Sequence, residues 1–209
     1  MTSKAIVLLS GGIDSAVVMW LAKRKWQVYA LTFKFNKSNS NETRAAKKLA
    51  KIAKIEKHFF IDVNFLKQVS ELKQLKRNFN FKKMKIPTTY IPSRNTIFFG
   101  IASYFSEILG AKYIVSGHSY IDPFPDSKSK YVKTINNALL HGSWLGRKYR
   151  TKILMPIAKL NKTKIVNIGV KLKVPLELTW SCYKNGKVSC GKCDGCISKL
   201  SAFEELNLL

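Results

Sequence analysis

Two groups of residues have types and spacings that can do chemistry. The first is Ser10-Gly11-Gly12-Ile13-Asp14-Ser15, directly after the apolar run from Ala5 to Leu9. A turn of this composition between a strand and a helix is an anion site. Glycines let the backbone approach the anion closely. The free N–H groups at the start of the following helix, together with its dipole, favour phosphate. Ser10 and Ser15 add hydroxyl donors, whereas Asp14 would repel bare phosphate. The expectation is therefore that Asp14 holds magnesium or the loop itself. The run matches neither the Walker A spacing nor the Gly-x-Gly-x-x-Gly fingerprint of dinucleotide folds.

The second group is Cys182-x7-Cys190-x2-Cys193-x2-Cys196, which contains all four cysteines of the chain. Cys-x-x-Cys-x-x-Cys gathers sulfurs around one tight turn, with Gly191 and Gly195 allowing the bend, and Cys182 can close a tetrahedron. Four thiolates fill the coordination sphere of zinc, so a structural zinc site is expected rather than a catalytic one. An iron–sulfur cluster or disulfides fit the same spacing less well in a chain expected to be intracellular.

The elements that must position these groups follow from the apolar pattern. Ala5 to Leu9 is a short continuous apolar run, expected as a buried parallel strand. Further strands are expected at Val28 to Phe33, His58 to Val63, Lys112 to Ser116 and Ile153 to Pro156. Helices are expected at Ser15 to Lys23, Glu42 to Ile55, Phe65 to Leu75, Ser93 to Leu109 with Gly110 at its C′ position, Thr134 to Leu145, Lys162 to Leu172 and Ile197 to Glu205. Residues 117–131 read as a loop. Alternation of this kind predicts an α/β fold: a mostly parallel five-stranded sheet with helices on both faces, plus a short C-terminal zinc-binding helical segment. The expected organisation is one domain over residues 1–209, with 180–209 as the metal-binding segment.

The 209 residues suffice for a full core, and 46% of them are hydrophobic. No run approaches the roughly 18 apolar residues that span a bilayer, and no leader pattern precedes the first strand. A cytoplasmic protein without a membrane partner is expected. The formal net charge is +25. Such a charge allows a nucleic-acid partner without requiring one, because the lysines are spread at helical spacing over solvated faces.

Ser-Gly-Gly-x-Asp-Ser after the first strand resembles the PP-loop of the N-type ATP pyrophosphatases. More segments narrow the likeness: Tyr90 to Thr96 (Tyr-Ile-Pro-Ser-Arg-Asn-Thr), Gly117-His118, Asp122, Pro125-Asp126, and Val174 to Tyr183 running into Cys190 to Cys196. Together they resemble the 7-cyano-7-deazaguanine synthase family over nearly the whole chain. The resemblance implies an ATP-dependent carbon–nitrogen ligase acting on 7-carboxy-7-deazaguanine and ammonia. The carboxylate is adenylated, ammonia displaces AMP, and activation of the amide oxygen then leads to the nitrile. It also implies one zinc, magnesium, a homodimer, and a place in queuosine or archaeosine precursor synthesis.

For site residues the resemblance implies ATP contacts along Leu9, Ser10, Gly11, Gly12, Ile13, Asp14, Ser15, Ala16, Val17, Val18 and Met19, with Asp14 and Ser15 catalytic. Arg94 is expected to hold a carboxylate or phosphate bidentately, and Lys159 to stabilise charge developing during adenylation. Substrate contacts are expected from Arg94, Asn95, Gly117, Asp122, Asp126 and Glu177. A carboxylate matches the N1–H and amine edge of the base, but Asp122, Asp126 and Glu177 are not ranked. Two stretches depart from the family pattern: Lys34 to Ser38 replaces Asp-Tyr-Gly-Gln and a basic residue, and Ser127 follows Pro125-Asp126 where the family has cysteine. A PP-loop enzyme that modifies tRNA or another macromolecule, for example by thiolation, is the competing expectation. Thiolation usually needs a further cysteine, and all four here are used. A zinc-knuckle RNA-binding protein is disfavoured by the intact loop.

Overall fold

In a computed structural model, residues 2–35, 40–67, 78–87, 89–184 and 186–208 are described. Five strands, β1 (Lys4–Leu8), β2 (Gln27–Lys34), β3 (Lys57–Asp62), β4 (Tyr113–Val115) and β5 (Lys152–Leu154), form one sheet in the order β3-β2-β1-β4-β5. Every pairing is parallel; Ala5, for example, stands opposite both Val28 and Tyr113. Strand order reverses between β1 and β4, so the loops that leave these two strands diverge and open a crevice at the carboxyl edge.

The helices are α1 (Ile13–Lys23), α2 (Asn41–Ala53), α3 (Arg94–Leu109), α4 (Ser129–His141), α5 (Trp144–Tyr149), α6 (Lys162–Lys171) and α7 (Asp194–Glu204). The period-2 alternation of β1 divides the core. Ala5, Val7 and Leu9 pack with α1, α2, α6 and Ala202 of α7 on one face. Ile6 and Leu8 pack with Phe98, Phe99 and Ala102 of α3 and Val132 of α4 on the other. Both faces are thus covered, which is why the strands read as unbroken apolar runs rather than alternating ones.

Several boundaries differ from the sequence expectation for local reasons. The helix expected over Thr134 to Leu145 is two helices. Gly142 ends α4, and Ser143, in extended backbone, caps α5 by accepting the Gly146 N–H at 2.8 Å. Ser93 has a left-handed backbone (φ 52°) and lies outside α3. The loop expected over 117–131 contains a 3-10 turn at Pro125–Ser127 and the start of α4. The last helix starts earlier than expected, inside the Cys-x-x-Cys spacing. Of the helix expected at Phe65 to Leu75, Asn64–Lys67 is a 3-10 turn, and 68–77 lie outside the described residues. So do 36–38 of the divergent Lys34 to Ser38 stretch.

The turn after β1 is held by long-range contacts. Gly11 has φ +92°, and a Cβ there would lie 2.3 Å from the Glu42 carbonyl oxygen and 2.9 Å from the Ala46 nitrogen. Only glycine lets the turn seat on α2. Gly11→Ala should lower the unfolding free energy by more than about 2 kcal/mol. Urea titration beside wild type measures this; an unchanged midpoint would show that α2 yields freely.

Candidate functional site

The phosphate turn is organised by one side chain. Ser15 is buried, and its hydroxyl accepts from the Ser10 N–H (3.2 Å), the Gly11 N–H (3.2 Å) and the Ser10 hydroxyl (3.1 Å) while donating to the Gly12 carbonyl (2.9 Å). Ser15 therefore shapes the loop, and its hydroxyl is committed rather than offered to an anion. The entry to the loop is also fixed. Thr32 donates to the Leu9 carbonyl at 2.5 Å and meets His58 Nε2 at 2.7 Å. With its single proton given to Leu9, Thr32 accepts from His58, which places the imidazole hydrogen on Nε2. Burial, then Lys47, lowers His58 to about 4, so this ring is neutral.

Asp14 forms a two-oxygen ion pair with Lys162 Nζ at 2.6 and 2.7 Å. Lys162 opens α6, whose N-cap Asn161 accepts the Lys164 N–H at 3.0 Å. Lys159, the lysine expected at the site, is exposed and lines neither of the cavities described below. Only the fold of the turn before α6 separates the two lysines. Gly117, after β4, lies against the start of α1, where a Cβ would be 2.9 Å from the Asp14 carbonyl carbon.

Two cavities meet at this loop. The first, about 310 Å³, lies at the carboxyl ends of β1, β2 and β4, and its walls include Thr32, Phe33, Phe98, Arg94 and His118. Phe33 and Phe98 stack at 3.9 Å. Phe99 is core, and Phe98, packed in the same core, also lines the cavity. The second, about 450 Å³, lies between the loop and the C-terminal segment, with Lys162, Trp180, Tyr183, Asp194 and Lys199 in its walls. Ser10, Asp14, Ser15, Glu42 and Asp122 line both. Of the residues expected to touch ATP beyond Ser15, Ala16, Val17, Val18 and Met19 are buried in the α1 core and line neither cavity.

Arg94 is half-buried with its guanidinium over the Phe124 ring, 5.3 Å from the centroid. Burial lowers its pKa, against Asp126 and Asp122, which raise it. Burial raises Asp122, which accepts the Ser119 N–H at 3.3 Å and lies near Asp14, Lys162 and Arg94. His118 bonds Ser116 through Nδ1, and burial followed by Arg94 lowers it to about 4.

Two expected substrate contacts serve each other instead. Asp126 accepts the Asn95 N–H at 2.9 Å and the Asn95 side-chain amide at 3.0 Å. Ser93 gives α3 no side-chain cap, so Asp126 supplies it from 31 residues away and holds the helix turn that carries Arg94. Glu177 is exposed and outside both cavities.

The four cysteine Sγ atoms lie within 4.8 Å of one another. Cys193 and Cys196 are 3.5 Å apart, and Cys190 and Cys196 are 4.0 Å apart. A tetrahedral ion about 2.3 Å from each thiolate needs sulfurs about 3.8 Å apart, so the set fits such an ion, and no disulfide joins them. The Lys184 and Cys190 amides donate to Cys182 Sγ, both at 3.4 Å. Backbone N–H groups of Lys192 and Cys193 lower Cys190 to about 6, while burial pushes Cys196 up to about 12. A bound cation would hold the latter as thiolate. The cluster is tied to the loop because the Trp180 N–H donates to the Gly11 carbonyl at 2.9 Å and its indole N–H to the Cys182 carbonyl at 2.8 Å.

The family described as Queuosine biosynthesis protein QueC matches residues 4–207. A 7-cyano-7-deazaguanine synthase of Thermoplasma volcanium is 36% identical over 98% of this chain and 88% of its own length. Those of Nostoc punctiforme and Aquifex aeolicus are 34% and 36% identical, over 99% and 94% of this chain and 97% and 94% of theirs. Among solved structures, NMN synthetase from Francisella tularensis superposes with a TM-score of 0.52 at 15% identity, covering 100% of this chain and 78% of that one. NH3-dependent NAD synthetase from Campylobacter jejuni does so with a TM-score of 0.50 at 21% identity, covering 85% and 66%. The two structures share the fold.

Removing the α3 cap by Asp126→Ala should cost about 1 kcal/mol of stability. Thermal unfolding would show it; an unaltered melting temperature would mean that the cap is idle.

Proposed function

Because the chain belongs to the QueC family of queuosine biosynthesis proteins, we propose that it is a 7-cyano-7-deazaguanine synthase that joins 7-carboxy-7-deazaguanine to ammonia at the expense of ATP. The observation that carries this reading is the meeting of two cavities at one phosphate loop, with Ser10, Asp14 and Asp122 in their shared wall. A ligase that adenylates a second molecule needs this geometry, because the α-phosphorus and the attacking carboxylate must meet at one point.

In this reading the first cavity takes ATP. Pyrophosphate rests on the free N–H groups at the start of α1. An oxygen of the substrate carboxylate, lying in the second cavity, attacks the α-phosphorus, and the pyrophosphate bond breaks. Lys162 exchanges its hold on Asp14 for the charge growing on the phosphates. Arg94, steadied by Phe124 and by the Asp126 cap, faces the same junction. The nitrogen of ammonia then bonds to the activated carbon and AMP leaves, giving the amide. The amide oxygen repeats the attack on a second ATP. Loss of AMP and the amide protons gives the nitrile.

Asp14, Glu42 and Asp122 offer the oxygen ligands that magnesium takes, which when bound would neutralise phosphate charge. Zinc would be held by Cys182, Cys190, Cys193 and Cys196 as a structural ion. Residues 1–209 then act as one domain with 180–209 as its metal-binding segment, a division supported by the Trp180 to Gly11 bond.

Incubation of zinc-loaded protein with ATP, ammonium and 7-carboxy-7-deazaguanine should yield pyrophosphate and the nitrile by mass analysis; the absence of both products would overturn the reading. Asp14→Asn should abolish ATP cleavage while the circular dichroism spectrum stays native. Lys162→Met should cut turnover by about 10²-fold or more, whereas Lys159→Met should stay near wild type. The opposite ranking would return the charge-stabilising role to Lys159. Elemental analysis should find one zinc per chain, and a visible charge-transfer band in its place would point to iron and sulfur.

A further inference from the structure

Acidic residues are scarce in this chain, at 12 against 37 lysines and arginines. Yet Asp14, Glu42, Asp122 and Asp194 all line the two joined cavities. Asp14 is engaged by Lys162 and Asp122 by the Ser119 N–H. Among the described residues, the Asp194 side chain forms no hydrogen bond or ion pair within the protein. It opens α7 directly after Cys193 and lines only the second cavity. Tyr183, directly after Cys182, lines the same cavity. A Cβ on Gly195, the residue after Asp194, would lie 3.2 Å from the Tyr183 ring, so the ring packs against the start of α7.

A deazaguanine carries its reacting carboxylate on the five-membered ring and its N1–H and 2-amino donors at the opposite end. If the carboxylate is to meet the loop and Lys162, the donor edge must point to the far wall, which the C-terminal segment builds. Asp122 sits in the wall shared with the first cavity, at the reacting end. Asp126 is spent on Asn95, and Glu177 lies outside. We propose that Asp194 is the carboxylate that reads the N1–H and 2-amino edge, with the Tyr183 ring alongside the base; this rests on the synthase reading above. Two carboxylate oxygens match two parallel N–H donors. Cys182 and Cys193 immediately precede the two side chains, so the four-cysteine cluster acts as the jig for base recognition as well as a fold staple.

The test is calorimetric binding, without ATP, of 7-carboxy-7-deazaguanine and of its analogue lacking the 2-amino group. Wild type should prefer the amino base by about 10- to 100-fold. Asp194→Asn and Asp194→Ser should bring the two bases within about threefold of each other, whereas Asp122→Asn should keep the preference. Metal content is measured in every variant, and the ratio is read in those that keep the metal. A preference that survives at position 194, or is lost in Asp122→Asn instead, overturns the assignment while leaving the synthase reading in place. If neither variant at 194 keeps its metal, Asp194 serves the cluster and the assignment falls. Wild type that binds neither base overturns the synthase reading itself.

Discussion

The phosphate turn has no room to move because Gly11 is held from two sides. Its Cα rests against the backbone of α2, where a Cβ would collide with Glu42 and Ala46. Its carbonyl accepts the N–H of Trp180, which lies far along the chain beside the cysteine cluster. Two distant segments thus converge on one residue. The free N–H groups at the start of α1 can grip an anion only if the turn before them already aims them inward, because rearrangement during the reaction would cost what the contacts gain. Ser15 completes this preorganisation by tying Ser10, Gly11 and Gly12 to one hydroxyl.

The same convergence explains why the four-cysteine cluster stands so near the phosphate loop. Residues 180–199 contribute Trp180, Tyr183, Asp194 and Lys199 to a cavity wall, but the segment is short and its α7 adds little core beyond Ala202. Four thiolates around a bound ion would supply the order that packing does not. Lys199 adds a second brace: its ammonium, lowered in pKa by burial, bonds the Leu176 and Thr179 carbonyls and leads the chain from the 3-10 turn at Leu176–Leu178 into the wall.

Charge is distributed to suit this arrangement. A chain of net charge +25 keeps a third of its few carboxylates around one crevice. The crevice would otherwise trap phosphate indiscriminately. Acidic groups at its mouth favour a ligand that brings donors or a divalent cation with it. The ion pair of Asp14 with Lys162 holds both groups in place and leaves each available to a ligand, since neither is deeply buried.

By itself the sequence determined the elements, the parallel α/β architecture, the phosphate turn and the cysteine set, because each depends on neighbours a few residues apart. Apolar runs, a Gly-Gly turn before a helix and Cys-x-x-Cys spacing are local signals. Tertiary structure alone decided which polar residues line the crevice. Lys162 rather than Lys159 reaches Asp14 because α6 starts where it does. Glu42 reaches the site because the cap at Ser40 aims α2 at the loop. Asp126 proved a cap for α3, and Glu177 fell outside, because the direction of a side chain across a crevice is set by elements distant in sequence. Asp194 and Tyr183 lay within the family-like motif from the start. Their place opposite the loop appears only when the Trp180 N–H closes on Gly11, and a contact across that span leaves no periodic mark in the chain.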